Sequence, residues 1–125
     1  MANDATIADA LKAMLNKPLY VALRHPQELS RIAELLPAHL EWAIRAEQRG
    51  ELFASGPFAA QDAAPGTVGG MSILRAASES EARTILSADP FIREGVFTAE
   101  IKKWTLMEGN VTINVRFSDQ SARVL

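Results

Sequence analysis

The spacing of apolar residues divides the chain into alternating helix-like and strand-like stretches. Over residues 4 to 15, Ile7, Ala8, Leu11, Met14 and Leu15 recur at helical spacing behind Asn3 or Asp4 as N-cap, predicting a short amphipathic helix that Pro18 stops. Leu19, Val21 and Leu23 then alternate with Tyr20, Ala22 and Arg24 as far as His25-Pro26, a first strand largely apolar on both faces. From Gln27 to Arg49 the period is helical again, but Pro37 sits inside it. A proline ring removes one backbone N–H and crowds the preceding turn, so a break near Leu36 is expected. Gly50 ends this helix, and Leu52 to Gly56 form a second strand that the Gly56-Pro57 pair terminates.

Residues 59–70 (AAQDAAPGTVGG) are small, glycine-bearing and nearly uncharged, the composition of a mobile hairpin loop and of many lids. A third strand, Met71 to Ala76, runs into Ser78-Glu79-Ser80-Glu81. Ser and Glu three apart form a capping box for a helix with Ala82, Ile85 and Leu86 on one stripe, ending before Pro90. Asp89 to Gly95 reads as a turn segment, and a fourth strand follows from about Thr98 to Met107. Glu108-Gly109-Asn110 reads as a hairpin turn. Beyond it Val111, Ile113, Val115 and Phe117 alternate with polar residues, as in a half-buried fifth strand.

This order is β-α-β-β-α-β with an extra N-terminal helix and a C-terminal strand, an α+β pattern in which two helices cover one face of an antiparallel sheet. It divides the chain into an N-terminal helical extension (1–17), a main domain (18–108) and a C-terminal strand extension (109–125). Strands one to three are apolar on both faces, so the second face needs a cover. A homodimer packed face to face is expected, with the N-terminal helix as the rival cover.

Composition narrows the function classes. A chain of 125 residues, 48% apolar and 22% charged, suits one hydrophobic core rather than disorder. Thirteen basic against fifteen acidic residues, with no block of like charge, lack the electrostatic footprint of a nucleic-acid binder. The absence of Cys removes disulfides, thiolate nucleophiles, zinc-thiolate sites and iron-sulfur clusters. No apolar run reaches membrane-spanning length and the start is not that of a secretory signal, so a cytoplasmic protein without a membrane partner is expected.

On a helical wheel His39 falls among Ile32, Leu35, Leu36, Ala43 and Ala46, which turns its imidazole toward the core. Such a histidine is either a structural side chain bonded to a backbone carbonyl or a group placed for chemistry. Asp89 lies four residues beyond Ile85 and seven beyond Ala82, continuing an apolar stripe where a carboxylate requires a partner. It also precedes Pro90, the pattern of an N-cap whose one-turn helix Gly95 closes. With both helices on one sheet face, the two side chains can meet above the sheet, the carboxylate fixing the imidazole tautomer and raising its basicity.

Arg24 is either a solvated strand-end residue or the holder of an anionic substrate group. Ser55, Ser72 and Ser87 lack a nucleophile elbow, and neither Gly56 nor Gly69-Gly70 fits a phosphate-binding fingerprint, which sets aside triad hydrolysis and nucleotide binding. His25 and His39 have no carboxylate at metal-ligand spacing, so no metal or other cofactor is predicted. Aromatic residues such as Phe91 are core, or the wall of a pocket for a flat organic ligand. Arg24, Ser55, Gly56 and Phe91 are the candidate substrate-binding residues.

The segments Leu36-Pro37-Ala38-His39-Leu40-Glu41-Trp42, Arg49 to Pro57, Ala88-Asp89-Pro90-Phe91 and Gly95 to Trp104, taken in order, resemble the YciI-like, or YCII-related, family over roughly residues 19 to 106. The resemblance implies a ferredoxin-like fold assembled as a dimeric α+β barrel, with a pocket between sheet and helices. It also implies that His39 and Asp89 form an active-site pair. The family's best-defined enzymatic member resembles a dehydrochlorinase acting on a chlorinated hydroxyhydroquinone.

These readings predict an enzyme of lyase or isomerase type acting on a small organic substrate. His39 would remove a proton from a phenolic or enolisable group while Asp89 orients the ring. The alternative is a non-catalytic small-ligand-binding domain with His39 as a hydrogen-bond anchor. A third is a cofactor-free or haem-linked oxygenase of the same barrel architecture.

Overall fold

In the computed structural model, which describes residues 4–125, the elements run α1 (Asp4–Ala13), β1 (Lys17–Pro26), a 3₁₀ turn (Leu29–Arg31), α2 (Ile32–Gln48), β2 (Leu52–Pro57), β3 (Gly70–Leu74), α3 (Glu79–Ser87), α4 (Pro90–Arg93), β4 (Phe97–Leu106), β5 (Ile113–Val115) and β6 (Ala122–Val124). The chain divides into two units, one spanning Pro18–Thr105 and the other made of the segments on either side of it. The Asn3 or Asp4 cap of the first helix lies outside the described residues and side chains.

In the larger unit, four strands form a sheet of order β2-β3-β1-β4, with β3 antiparallel to both of its neighbours. This is the ferredoxin-like α+β arrangement, reached because each β-α-β segment leaves room for a third strand between its own two. Period-two alternation turns Tyr20, Ala22 and Arg24 to one side of β1. Tyr20 and Ala22 join Leu52 and Leu74 from the sheet, Trp42 and Ala46 from α2, and Ala82, Ile85 and Leu86 from α3 in one buried cluster. A second cluster, Phe91, Val96 and Phe97, packs against Ile32 and Leu35 at the start of α2.

A β-bulge sets which side chains β2 presents. Leu52 pairs with Leu74, but Ala54 already pairs with Ile73, so Phe53 is the extra residue. The bulge reverses the side-chain parity beyond it, and Ser55 thereby comes opposite Ser72 on the face that Leu52 occupies. Without the bulge Ser55 would point away from the helices.

The expected break at Leu36 is not there. The chain turns earlier, in the 3₁₀ segment, and α2 then runs unbroken from Ile32 with Pro37 inside it. Proline is tolerated because it stands close to the start of the helix, where the one hydrogen bond it forgoes would have gone to the carbonyl of Ala33, an exposed residue that water can satisfy. At α3 the Ser78 hydroxyl accepts from Glu81 N–H at 3.1 Å, as the capping box requires. The returning Glu81 carboxylate accepts from Ala77 N–H at 2.9 Å, one residue ahead of the cap.

In the smaller unit α1 stops at Ala13, and Asn16, at φ 53°, donates its side-chain amide to the carbonyls of Leu11 and Met14. The C-terminal stretch departs from expectation. β5 is only three residues long and pairs with β6 in a separate two-stranded ribbon, and Val111, Ile113, Val115 and Phe117 are exposed. Alternation fixes which way side chains point, but their burial requires an opposing surface. The turn that closes this ribbon is at Asp119, whose carboxylate accepts from Ser121 N–H at 3.0 Å beside Gln120 at φ 57°.

Candidate functional site

Asp89 is a helix cap put to a second use. It precedes Pro90, whose missing N–H is harmless at the first helical position, and its Oδ1 accepts from Phe91 N–H at 3.0 Å. The same oxygen accepts from His39 Nδ1 at 2.9 Å, and Oδ2 accepts from Arg24 Nη1 at 2.6 Å. The sequence reading of Asp89 as a cap and its reading as a partner of His39 therefore describe one atom. The residue is fully buried, with 0% of its surface exposed. Burial pushes the carboxyl up, but the His39 hydrogen bond and the Arg24 charge together outweigh it and hold the group below the usual carboxylate range.

Arg24 is not a solvated strand-end residue. The parity of β1 turns it to the helix side, and only 7% of it is exposed. Its Nε donates to Ser72 Oγ at 2.9 Å, and its guanidinium lies 5.7 Å from the centre of the Trp42 ring. Nη2 has no hydrogen-bond partner among the described residues, nor has the buried Trp42 Nε1. The charge of Arg24 is thus matched by Asp89 rather than left free for an anionic ligand.

His39 stands between this buried pair and open space. Its ring stacks on Phe91 with centroids 4.3 Å apart at 17°, and lies 5.9 Å from Trp42. An ionised carboxylate only accepts, so the Nδ1 facing Asp89 carries the hydrogen. In the neutral ring Nε2 then bears the lone pair, and no described residue bonds to it.

The open space is a cavity of about 540 Å³, within the range of small-molecule sites. Its walls are mostly apolar: Leu36, Leu40 and Ile44 from α2, Phe53 and Pro57 from β2, Gly66 and Gly69 from the following loop, and Phe97. Of the residues singled out from the sequence, His39, Arg24, Ser55, Gly56 and Phe91 all line it, while Asp89 lies behind His39. The 59–70 segment, expected as a loop, contributes to the rim through Pro65, Gly66 and Gly69. Ser72, which lacks a nucleophile elbow, is a site residue that the sequence reading does not single out. Its signal was a hydroxyl at an inward position of a strand, between buried Gly70 and Leu74. His25 lies apart, exposed and 3.2 Å from Glu100. Among the described residues no group of three or more His, Asp or Glu could hold a metal ion, and no helix is long and apolar enough to cross a membrane.

A four-stranded antiparallel sheet of order β2-β3-β1-β4 under two helices, with an Arg-Asp-His cluster opening on an apolar cavity, defines a ferredoxin-like domain with a cavity of small-molecule size. The sequence profile of the YCII-related domain matches residues 18–105, and the chain belongs to that family. Among solved structures, the chain is similar to 5-chloro-2-hydroxyhydroquinone dehydrochlorinase from Burkholderia phenoliruptrix AC1100, solved in complex with 2,5-dihydroxybenzoquinone. The TM-score is 0.58 at 21% identity, covering 69% of this chain and 92% of that one. That likeness is one of fold. No curated protein matches the chain.

Proposed function

We propose that this protein is an enzyme of lyase or isomerase type in which His39 Nε2 takes a proton from a phenolic or enolisable small molecule while Asp89 positions the ring. One observation carries the reading. The 2.9 Å contact of His39 Nδ1 with Asp89, braced by Arg24 at 2.6 Å, leaves the opposite edge of the imidazole to an apolar cavity. Before proton transfer the charges of Arg24 and Asp89 cancel and the cluster is neutral. Afterwards the imidazolium gives it one net positive charge facing the substrate anion, in surroundings that screen weakly.

Where the substrate carries a leaving group, that group departs with its bonding electron pair and the net change is loss of HX. Where it carries none, the proton returns at another atom and the product is an isomer. The activity named for the solved neighbour makes chlorinated hydroxyhydroquinones the first class to offer. We further propose that the chain pairs as a homodimer through the sheet face away from the helices, where Val21, Leu23 and Met71 are only half-buried.

The test is release of chloride from 5-chloro-2-hydroxyhydroquinone, with NMR to detect isomerised products, by the wild type and by His39→Gln. Loss of a general base lowers such rates about 10²- to 10⁴-fold. A His39→Gln protein that folds normally and turns over at the wild-type rate refutes the proposal.

A further inference from the structure

A chain of hydroxyls runs from Arg24 to the cavity, and its hydrogens can be ordered. Arg24 Nε donates to Ser72 Oγ at 2.9 Å, and Ser72 Oγ lies 2.9 Å from Ser55 Oγ. A guanidinium only donates, so Ser72 must accept from it. Ser72 is fully buried and has a single hydrogen, for which Ser55 is the one remaining partner in reach among the described residues. Were Ser55 the donor instead, the Ser72 hydrogen would be stranded in the interior, at a cost that buried polar groups avoid. Ser72 therefore donates to Ser55, and the Ser55 hydrogen is left over. Ser55 is exposed and lines the cavity, so that hydrogen has only the cavity to serve.

The charge at the far end strengthens this donor. Arg24 is more than nine-tenths buried, its Nη2 is unpartnered, and it lines the same cavity. Successive hydrogen bonds that begin at a cation polarise one another in the same direction.

We propose that Ser55, oriented through Ser72 by Arg24, is the residue that determines ligand specificity, and that it selects flat molecules bearing a carbonyl or anionic oxygen in addition to the acidic proton offered to His39. The second part rests on the function proposed above; the hydroxyl ordering does not. The bulge at Phe53 is what makes the arrangement available, because it brings Ser55 onto the face of Ser72.

Binding measured by calorimetry separates the two claims. The probes are 3-hydroxybenzaldehyde, 4-hydroxybenzaldehyde and 4-methylphenol, which share a phenol and differ in whether and where they carry an acceptor oxygen. The wild type is expected to bind at least one aldehyde about tenfold more tightly than 4-methylphenol, the size of one polarised hydrogen bond. Ser55→Ala should erase that preference, Ser55→Thr should restore it, and Ser72→Ala should reduce it. Aldehydes bound no more tightly than 4-methylphenol by the wild type, or a preference that survives Ser55→Ala, overturn the proposal. Neither result touches the His39 test, which reads turnover.

Discussion

Replacing Asp89 by Asn isolates the charge from the shape of the site. Asparagine caps helices as well as aspartate does, so the bond to Phe91 N–H survives and the capping loss is close to zero. The two remaining donors are the difficulty. One amide oxygen cannot serve both His39 Nδ1 and Arg24 Nη1, and the amide NH₂ meets an N–H where the carboxylate offered an acceptor. Arg24, with 7% of its surface exposed, is then a buried cation without a counter-charge.

Breaking a buried pair in this way costs about 3–5 kcal/mol, of which the lost charge-assisted bond to Arg24 is about 1.5–3 kcal/mol. The expected destabilisation is thus about 4 kcal/mol, a large share of a typical 5–15 kcal/mol stability. Urea unfolding at pH 7, followed by far-ultraviolet circular dichroism, measures it, with the slope of the transition checked for constancy. The companion variants are Arg24→Met and the double change. Because each single variant strands the other's partner, the double variant should lose less than the sum, with a coupling of about 1–3 kcal/mol. A single-variant loss under about 1 kcal/mol, or additivity within about 0.5 kcal/mol, refutes the account of Asp89 and Arg24 as an energetically linked pair.

The same carboxylate predicts an acid limb of stability. Its folded-state pKa is lowered, so the unfolded chain binds its proton first as pH falls; the stability it contributes is complete above the unfolded value near 3.9 and is lost as pH drops through the folded value. The stability gap between wild type and Asp89→Asn should therefore close below about pH 4, and a gap constant with pH contradicts the shift. Phe91→Ala removes a ring that stacks on His39 and meets Phe97 edge-on at 5.4 Å. A loss of about 3–5 kcal/mol in urea unfolding is expected, and a loss under 1 kcal/mol would show that the ring is not core. Gly69→Ala places a Cβ 2.4 Å from the Arg24 carbonyl at φ 95°, so it must push β1 away from the loop. Destabilisation of at least about 1–3 kcal/mol is expected, and an unchanged melting temperature would rule out that close approach.

Much of the site was legible in the chain because its signals are local. Helical spacing turned His39 inward, and the Asp-Pro pair marked a cap that needs only two consecutive residues to recognise. Strand alternation put Arg24 in phase with Tyr20 and Ala22. The partner of Arg24 was not legible, since 65 residues separate it from Asp89 and nothing in either neighbourhood encodes the other. Ser72 and Ser55 were likewise invisible as a pair, because the bulge that aligns them is a property of the β2–β3 register. The C-terminal ribbon failed for a related reason: period two announces a strand, but not which strand it will pair with.

Element types, their order, the cap at Asp89 and the inward phase of His39 follow from interactions within a few residues, and the sequence by itself determined them. Which charges meet, how Ser55 faces and where the cavity opens were decided by tertiary packing. Those outcomes depend on backbone register and on contacts between distant segments, and such contacts exist only once the whole unit has folded.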